Sequence, residues 1–122
     1  MPSVYRMTES QLQYAVIKEA HRQGWIVAHF RGMQDSRGTW RTPVAGDGKG
    51  FVDLVLASGD RRGVLFIELK GDTGRYQVSP EQKDWHATLK ASGASVHIWN
   101  PDDWRSGRIS AALADEAQAS GA

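Results

Sequence analysis

Between Thr8 and Gly24 apolar residues recur at spacings of three and four. Leu12, Ala15, Val16 and Ala20 form one stripe, the period of an amphipathic helix. Thr8 offers a hydroxyl to the free N–H groups of the first turn, Gln11 stands at the reciprocal capping-box position, and Gly24 suits a left-handed exit. The pattern predicts a helix over 8–24, with Glu9 on the edge of the apolar stripe. Trp25 to Phe30 reads as a strand. Phe51 to Ala57 and Val64 to Lys70 are dense apolar runs joined by the polar Ser58–Gly63 connection, which predicts an antiparallel hairpin. Ser79, Pro80 and Gln82 mark the start of a second helix running to about Ser92, with Gly93 as its stop. Ala94 to Trp99 is a fourth strand, and Asn100 to Asp103 opens a short turn or helix before an Ala-rich end.

The order is helix, three strands, helix, strand. A mixed sheet flanked by helices accommodates it: the first three strands form a meander and the fourth joins through the second helix by a crossover. The expected fold is α/β in one domain over 1–122, with a core at about 8–105 and a C-terminal appendage at 106–122. Ile109, Ala112 and Leu113 sit at helical spacing in that appendage and need a surface to cover them, in the same subunit or in a second one. Residues 31–50 read as a long loop holding five glycines and the cations Arg31, Arg37, Arg41 and Lys49. Loops of this length tend to be binding loops or lids.

Composition narrows the function classes. With 122 residues, 40% hydrophobic and 24% charged, the chain is of ordinary globular make-up. Its unbroken apolar runs stop at four residues, far short of the roughly 20 of a membrane helix. It contains no cysteine, which excludes disulfides, thiolate metal ligands and a cysteine nucleophile. No signal peptide opens the chain, and the expected setting is the cytoplasm. The net charge of +1 is uneven: residues 1–95 carry 13 Lys/Arg against 10 Asp/Glu, residues 96–122 carry 2 against 4. A polyanion would meet the first part.

The candidate chemistry sits on the hairpin. Asp53 interrupts one apolar strand, and Glu68 and Lys70 lie two apart on the other, so both project to one face. Pairing through residues 58–63 places Asp53 opposite the 68–70 end. Burying unpaired charge costs several kcal/mol per ion, roughly, so these groups must pair or bind something. One arrangement is an Asp53–Lys70 salt bridge with Glu68 exposed at the strand end. The other is a site for a hard divalent cation, which takes oxygen ligands and keeps waters for a phosphate, with the Leu69 backbone carbonyl as a further ligand. His21, His29, His86 and His97 have no zinc-ligand spacing and receive no catalytic role. Trp25, Trp85 and Trp99 fall at core positions. Trp40, among the loop cations, is placed to stack on an unpaired base or to fold back on the domain.

Gly50-Phe51-Val52-Asp53, fourteen residues, then Glu68-Leu69-Lys70 resembles the Asp and Glu-x-Lys signature of the PD-(D/E)XK nuclease superfamily. Thr8-Glu9 at a helix start, Ile67-Glu68-Leu69-Lys70, and Ser79-Pro80-Glu81-Gln82-Lys83-Asp84-Trp85 followed by Leu89 and Gly93 resemble more narrowly the virus-type replication-repair nuclease (VRR-NUC) domain. Val52 stands where the superfamily name has Pro, which leaves the carboxylate in place.

The resemblance implies a restriction-endonuclease-like αβββαβ core and a Mg²⁺- or Mn²⁺-dependent DNA endonuclease. Asp53, Glu68, the Leu69 carbonyl and Glu9 would hold the metal, Lys70 would act on the attacking water, and Gln82 would orient Lys70 or that water. For Glu9 the alternative is helix-dipole complementation, and for Gln82 simple capping. Arg31, Arg37, Trp40, Arg41, Lys49, Arg75 and Lys83 are the candidate DNA contacts. Stand-alone members of the family resemble homodimeric Holliday-junction resolvases, which implies branched DNA as the partner, a homodimer, and a bacterial cell or phage-infected host. Flap or other structure-specific cleavage, and non-catalytic nucleic-acid binding on the same fold, are the alternatives.

Overall fold

The computed structural model describes residues 6–30, 33–34, 36–38, 40–41, 46–60, 63–72 and 78–121; side chains are described for all of these except 33–34, 40–41 and 115–121. Helix α1 (Glu9–Arg22) is followed by strand β1 (Ile26–His29), the two short strands β2 (Met33–Gln34) and β3 (Trp40–Arg41), and the hairpin β4 (Leu54–Ser58) and β5 (Gly63–Leu69). Helix α2 (Pro80–Ala91), strand β6 (Ser95–Trp99) and helices α3 (Pro101–Arg105) and α4 (Arg108–Gly121) come after the hairpin. Among the described residues no helix is long and apolar enough to cross a membrane.

The starts of α1 and α2 follow from local hydrogen bonding. Thr8 and Gln11 form a reciprocal capping box at α1, and Ser79 and Gln82 form another at α2 with Pro80 in the first turn. Asn100 and Asp103 repeat the arrangement at α3.

The main sheet has the order β1-β4-β5-β6. β1 and β5 both run antiparallel to β4, and β6 runs parallel to β5 after the α2 crossover. This is the meander and crossover expected of a mixed sheet. One face carries Leu54 and Leu56 against Ile67 and Leu65, together with Leu69. It is sealed by Leu12, Val16 and Ala20 of α1 and by Ile109 and Leu113 of α4. Each fully buried aliphatic side chain contributes about 1.5–3 kcal/mol, so this layer is the main source of stability.

The structure differs from the sequence pattern in three places. Residues 31–50 are not loop throughout: β2 and β3 pair antiparallel, Met33 with Arg41 and Gln34 with Trp40, as a small ribbon with Arg37 in its turn. Residues 51–53 are not strand, because Phe51 turns inward to meet Phe30, Phe66 and Trp85 edge-on. The C-terminal segment is not peripheral. Ile109 and Leu113 are completely buried, and the Leu113 carbonyl accepts from the buried Trp25 indole at 3.2 Å. Their apolar stripe is covered within the subunit.

Candidate active site

The opposite face of β4 and β5 carries different chemistry. Asp53 lies just before β4, where its backbone N–H donates to the Ile67 carbonyl at 3.0 Å; Ile67 is already the register partner of Leu54. Two consecutive residues thus address one on the neighbouring strand, as at a β-bulge, a device that re-aims side chains. The Asp53 carboxylate accepts from the Leu69 N–H at 2.7 Å, which ties it to the end of β5.

Glu68, one residue back on β5, is 1% exposed. Helix α2 covers it: Gln82 Nε2 donates to Glu68 Oε2 at 2.9 Å, and Lys70 Nζ lies 3.8 Å from the same oxygen and donates to Gln82 Oε1 at 3.3 Å. Gln82 Oε1 also accepts from the Ser79 N–H at 2.9 Å. Capping and site building, alternatives on the sequence alone, are therefore done by one amide. Of the two arrangements left open by the sequence, the Asp53–Lys70 salt bridge is not the one found among the described residues. Lys70 pairs with Glu68 rather than Asp53, and Glu68 is buried rather than exposed, because α2 packs over the strand end.

Close backbone approaches position the remaining parts. A Cβ on Gly71 would fall 2.3 Å from the Glu9 backbone nitrogen, so only glycine lets the exit from β5 pass the start of α1. Met7 and Asp72 lock that approach with two bonds: Met7 N–H to Asp72 Oδ2 at 3.0 Å and Asp72 N–H to the Met7 carbonyl at 2.8 Å. Arg105 of α3 holds Asp72 in turn. Gly50, at φ +82°, approaches α2 as closely, since a Cβ there would meet Glu81 at 2.6 Å.

Electrostatics marks this cluster as strained. The Glu68 carboxyl is pushed up to about 9, first by loss of water, then by the like charge of Asp53 and a hydrogen bond to its carboxylate; Lys70 opposes the shift and Glu9 adds to it. Glu9 keeps part of its surface in water, yet its carboxyl is raised by desolvation and by Asp53, with Lys70 opposing. Buried Glu68 Oε1 has no hydrogen-bond partner. Beside it, at 3.6 Å, lies Nε2 of His86, which is also buried and without a hydrogen bond. The His86 ring is held below the usual imidazole range by desolvation and by Lys90 and Lys70, with Asp53 acting the other way.

A small divalent cation fits this donor set. The offered atoms are carboxylate oxygens, one of them buried and unsatisfied, and a nearby positive charge would relieve the repulsion that lifts Glu68. Among the described residues no group of three or more Asp, Glu, His or Cys forms a complete ligand set. A cation here would therefore rely on two carboxylates, backbone oxygen and water, the open coordination that Mg²⁺ keeps for a phosphate.

The structure brings Asp53, Glu68, Lys70 and Gln82 together, with Glu9 in electrostatic reach. The candidate nucleic-acid contacts are more scattered. Arg37 is exposed in the ribbon turn, Lys83 is exposed on α2, and Lys49 pairs with Glu81 at 3.2 Å. Trp40 and Arg41 lie on β3, where only the backbone is described, and Arg31 and Arg75 lie outside the described residues. Trp85 is not a plain core residue. It packs edge-on against Phe51, donates its indole N–H to the Asp47 carbonyl at 2.8 Å, and lines an open groove of about 490 Å³ with Asp47, Lys49, Glu81 and Asp84. His86 has no role assignable from the sequence pattern of histidines; its spacing of four from Gln82, one helical turn along the same face, is the signal that points to it.

Residues 7–102 match the model of the VRR-NUC domain, and the chain belongs to that family, in keeping with the PD-(D/E)XK nuclease superfamily. A solved structure described as a VRR_NUC domain protein superposes with a TM-score of 0.54 at 22% identity, covering 79% of each chain, which shows the shared fold. No curated protein matches the chain.

Proposed function

We propose that this protein is a Mg²⁺- or Mn²⁺-dependent endonuclease that hydrolyses phosphodiester bonds in structured DNA, with a Holliday junction or similar branched duplex as substrate. The observation that carries the reading is the nearly solvent-free Glu68 carboxyl, set against Asp53 and bridged by Gln82 to Lys70, a costly arrangement that a cation would relieve.

In this reading Asp53 and Glu68 hold the cation, assisted by the Leu69 carbonyl and, directly or through water, by Glu9. Asp53 is kept in place by the Leu69 N–H and Glu68 by Gln82. When bound, the metal would polarise the phosphodiester and lower the pKa of the attacking water. Lys70, steered by Gln82 Oε1, hydrogen-bonds that water and offsets charge building on the phosphoryl oxygens. Water gives up one proton to solvent as its oxygen bonds to phosphorus, the bond to one ester oxygen breaks, and that oxygen leaves with a proton taken from solvent. Arg37 and Lys83, with the cations of the 31–50 segment and Arg75, supply phosphate contacts along the duplex.

A homodimer would let one small domain cut two equivalent strands related by a two-fold axis. Since Ile109 and Leu113 of α4 are buried within their own subunit, the dimer rests on the substrate's symmetry and the family resemblance.

The test is incubation of labelled four-way junction, flap and linear duplex with Mg²⁺, Mn²⁺ or chelator, alongside light scattering at micromolar concentration. Paired symmetric nicks on the junction, lost with chelator, are expected from a dimer. A monomer that cuts flaps and ignores junctions would overturn the substrate but keep the chemistry. Metal-independent binding without cleavage would leave a binding module of the same fold.

A further inference from the structure

Helix α2 addresses Glu68 twice from one face. Gln82 occupies Oε2 with a 2.9 Å hydrogen bond, and His86, one turn further on, brings Nε2 to 3.6 Å from Oε1. The two facing atoms, Oε1 and Nε2, are both buried and both without a hydrogen bond. Glu68 is 1% and His86 7% exposed, so neither is served by bulk water. Leaving two complementary polar groups unpaired in a protein interior is unfavourable, and a short movement joins them.

We propose that His86 is a positioning residue for the metal-binding carboxylate: in its Nε2–H tautomer it donates to Glu68 Oε1, and with Gln82 on Oε2 it fixes the plane of the carboxylate toward the cation. The inference rests on the metal-dependent reading of this site. Its physical basis is the general behaviour of metal-ligating groups, whose orientation and basicity are set by hydrogen bonds from residues behind them. A carboxylate has acceptor capacity on both oxygens, and His86 Nε2 lies 3.6 Å from the one that Gln82 leaves free.

The experiment titrates Mn²⁺ into the full chain without DNA, by calorimetry and by electron paramagnetic resonance, for the wild type, Glu68→Gln, His86→Leu and His86→Gln. His86→Leu keeps apolar volume and removes the donor, and should weaken Mn²⁺ binding by about 10- to 100-fold. His86→Gln restores an N–H at similar reach and should recover most of the affinity. Should His86→Leu not fold, His86→Asn, whose shorter side chain withdraws its donor from Oε1, should show the same loss. Metal affinity of the Leu and Asn variants equal to wild type would overturn the positioning role while leaving the nuclease reading intact. A strong directly bound nitrogen coupling in the Mn²⁺ spin-echo spectrum would overturn it in favour of ligation by His86. A wild type whose Mn²⁺ binding does not depend on Glu68 would overturn both.

Discussion

The two faces of strand β5 make opposite use of burial. Leu65, Ile67 and Leu69 turn to one side and join the aliphatic and aromatic cluster that α1 and α4 cover. Phe66 and Glu68 turn to the other, where α2 encloses a carboxyl with one oxygen unsatisfied and a histidine with a nitrogen unsatisfied. Backbone alternation alone separates them. The first face stabilises the fold, and the second leaves a buried carboxylate oxygen and a ring nitrogen unpaired beside the candidate site. A folded domain carries such a defect where its other layer supplies enough stability to offset it.

The largest effect should come from breaking the polar face without touching the apolar one. Asp53→Asn and Glu68→Gln should each lower cleavage by roughly 100- to 1000-fold or more while the circular-dichroism melt stays cooperative. Asn is the informative choice at 53. Asp53→Ala would also strand the Leu69 N–H, at a cost of about 1–3 kcal/mol, and mix folding with chemistry. Unfolding by Asp53→Asn, with a folded wild type that never cuts, would make the cluster purely structural.

Breaking the apolar face should do the reverse. Ile67→Ala removes a fully buried side chain from between α1 and α4 and should cost about 2–5 kcal/mol in denaturant unfolding, with cleavage per folded molecule little changed below the midpoint. Loss of activity without loss of stability would mean that the faces are not independent.

A smaller effect sharpens the contrast through pH. Glu68 ionises near 4.5 in the unfolded chain and at about 9 in the metal-free fold. Between those values the unfolded state has released a proton that the folded state keeps, so this group makes the metal-free protein less stable as pH rises across the window. Urea unfolding in chelator at pH 5, 7 and 9 should show this decline, and Glu68→Gln should flatten it. Added Mg²⁺ should restore stability most at the high end. The same slope in Glu68→Gln would assign it to another group.

The smallest effect concerns the substrate surface. Arg37→Ala combined with Lys83→Ala should lower the slope of log binding affinity against log salt by about one for each phosphate that is no longer neutralised. An unchanged slope would remove the ribbon turn and the outer face of α2 from the DNA interface.

What could be read from the sequence was local. Thr8 with Gln11 and Ser79 with Gln82 close hydrogen bonds over three residues, and the β4–β5 hairpin pairs across a tight connection, so each is encoded where it forms. Alternation along β5 likewise puts Glu68 and Lys70 on one face without knowledge of the fold. The burial of Glu68 was not legible, because it depends on where α2 lands, as do the Gln82 bond fourteen residues away and the His86 contact. The ribbon of β2 and β3 was hidden by glycine-rich composition, and the full burial of Ile109 and Leu113 by their distance in sequence from α1. Short-range chemistry determined the elements and nominated the charged residues. Only packing between distant segments decided which carboxylate lost its water, and that loss makes the cluster a candidate site rather than a surface salt bridge.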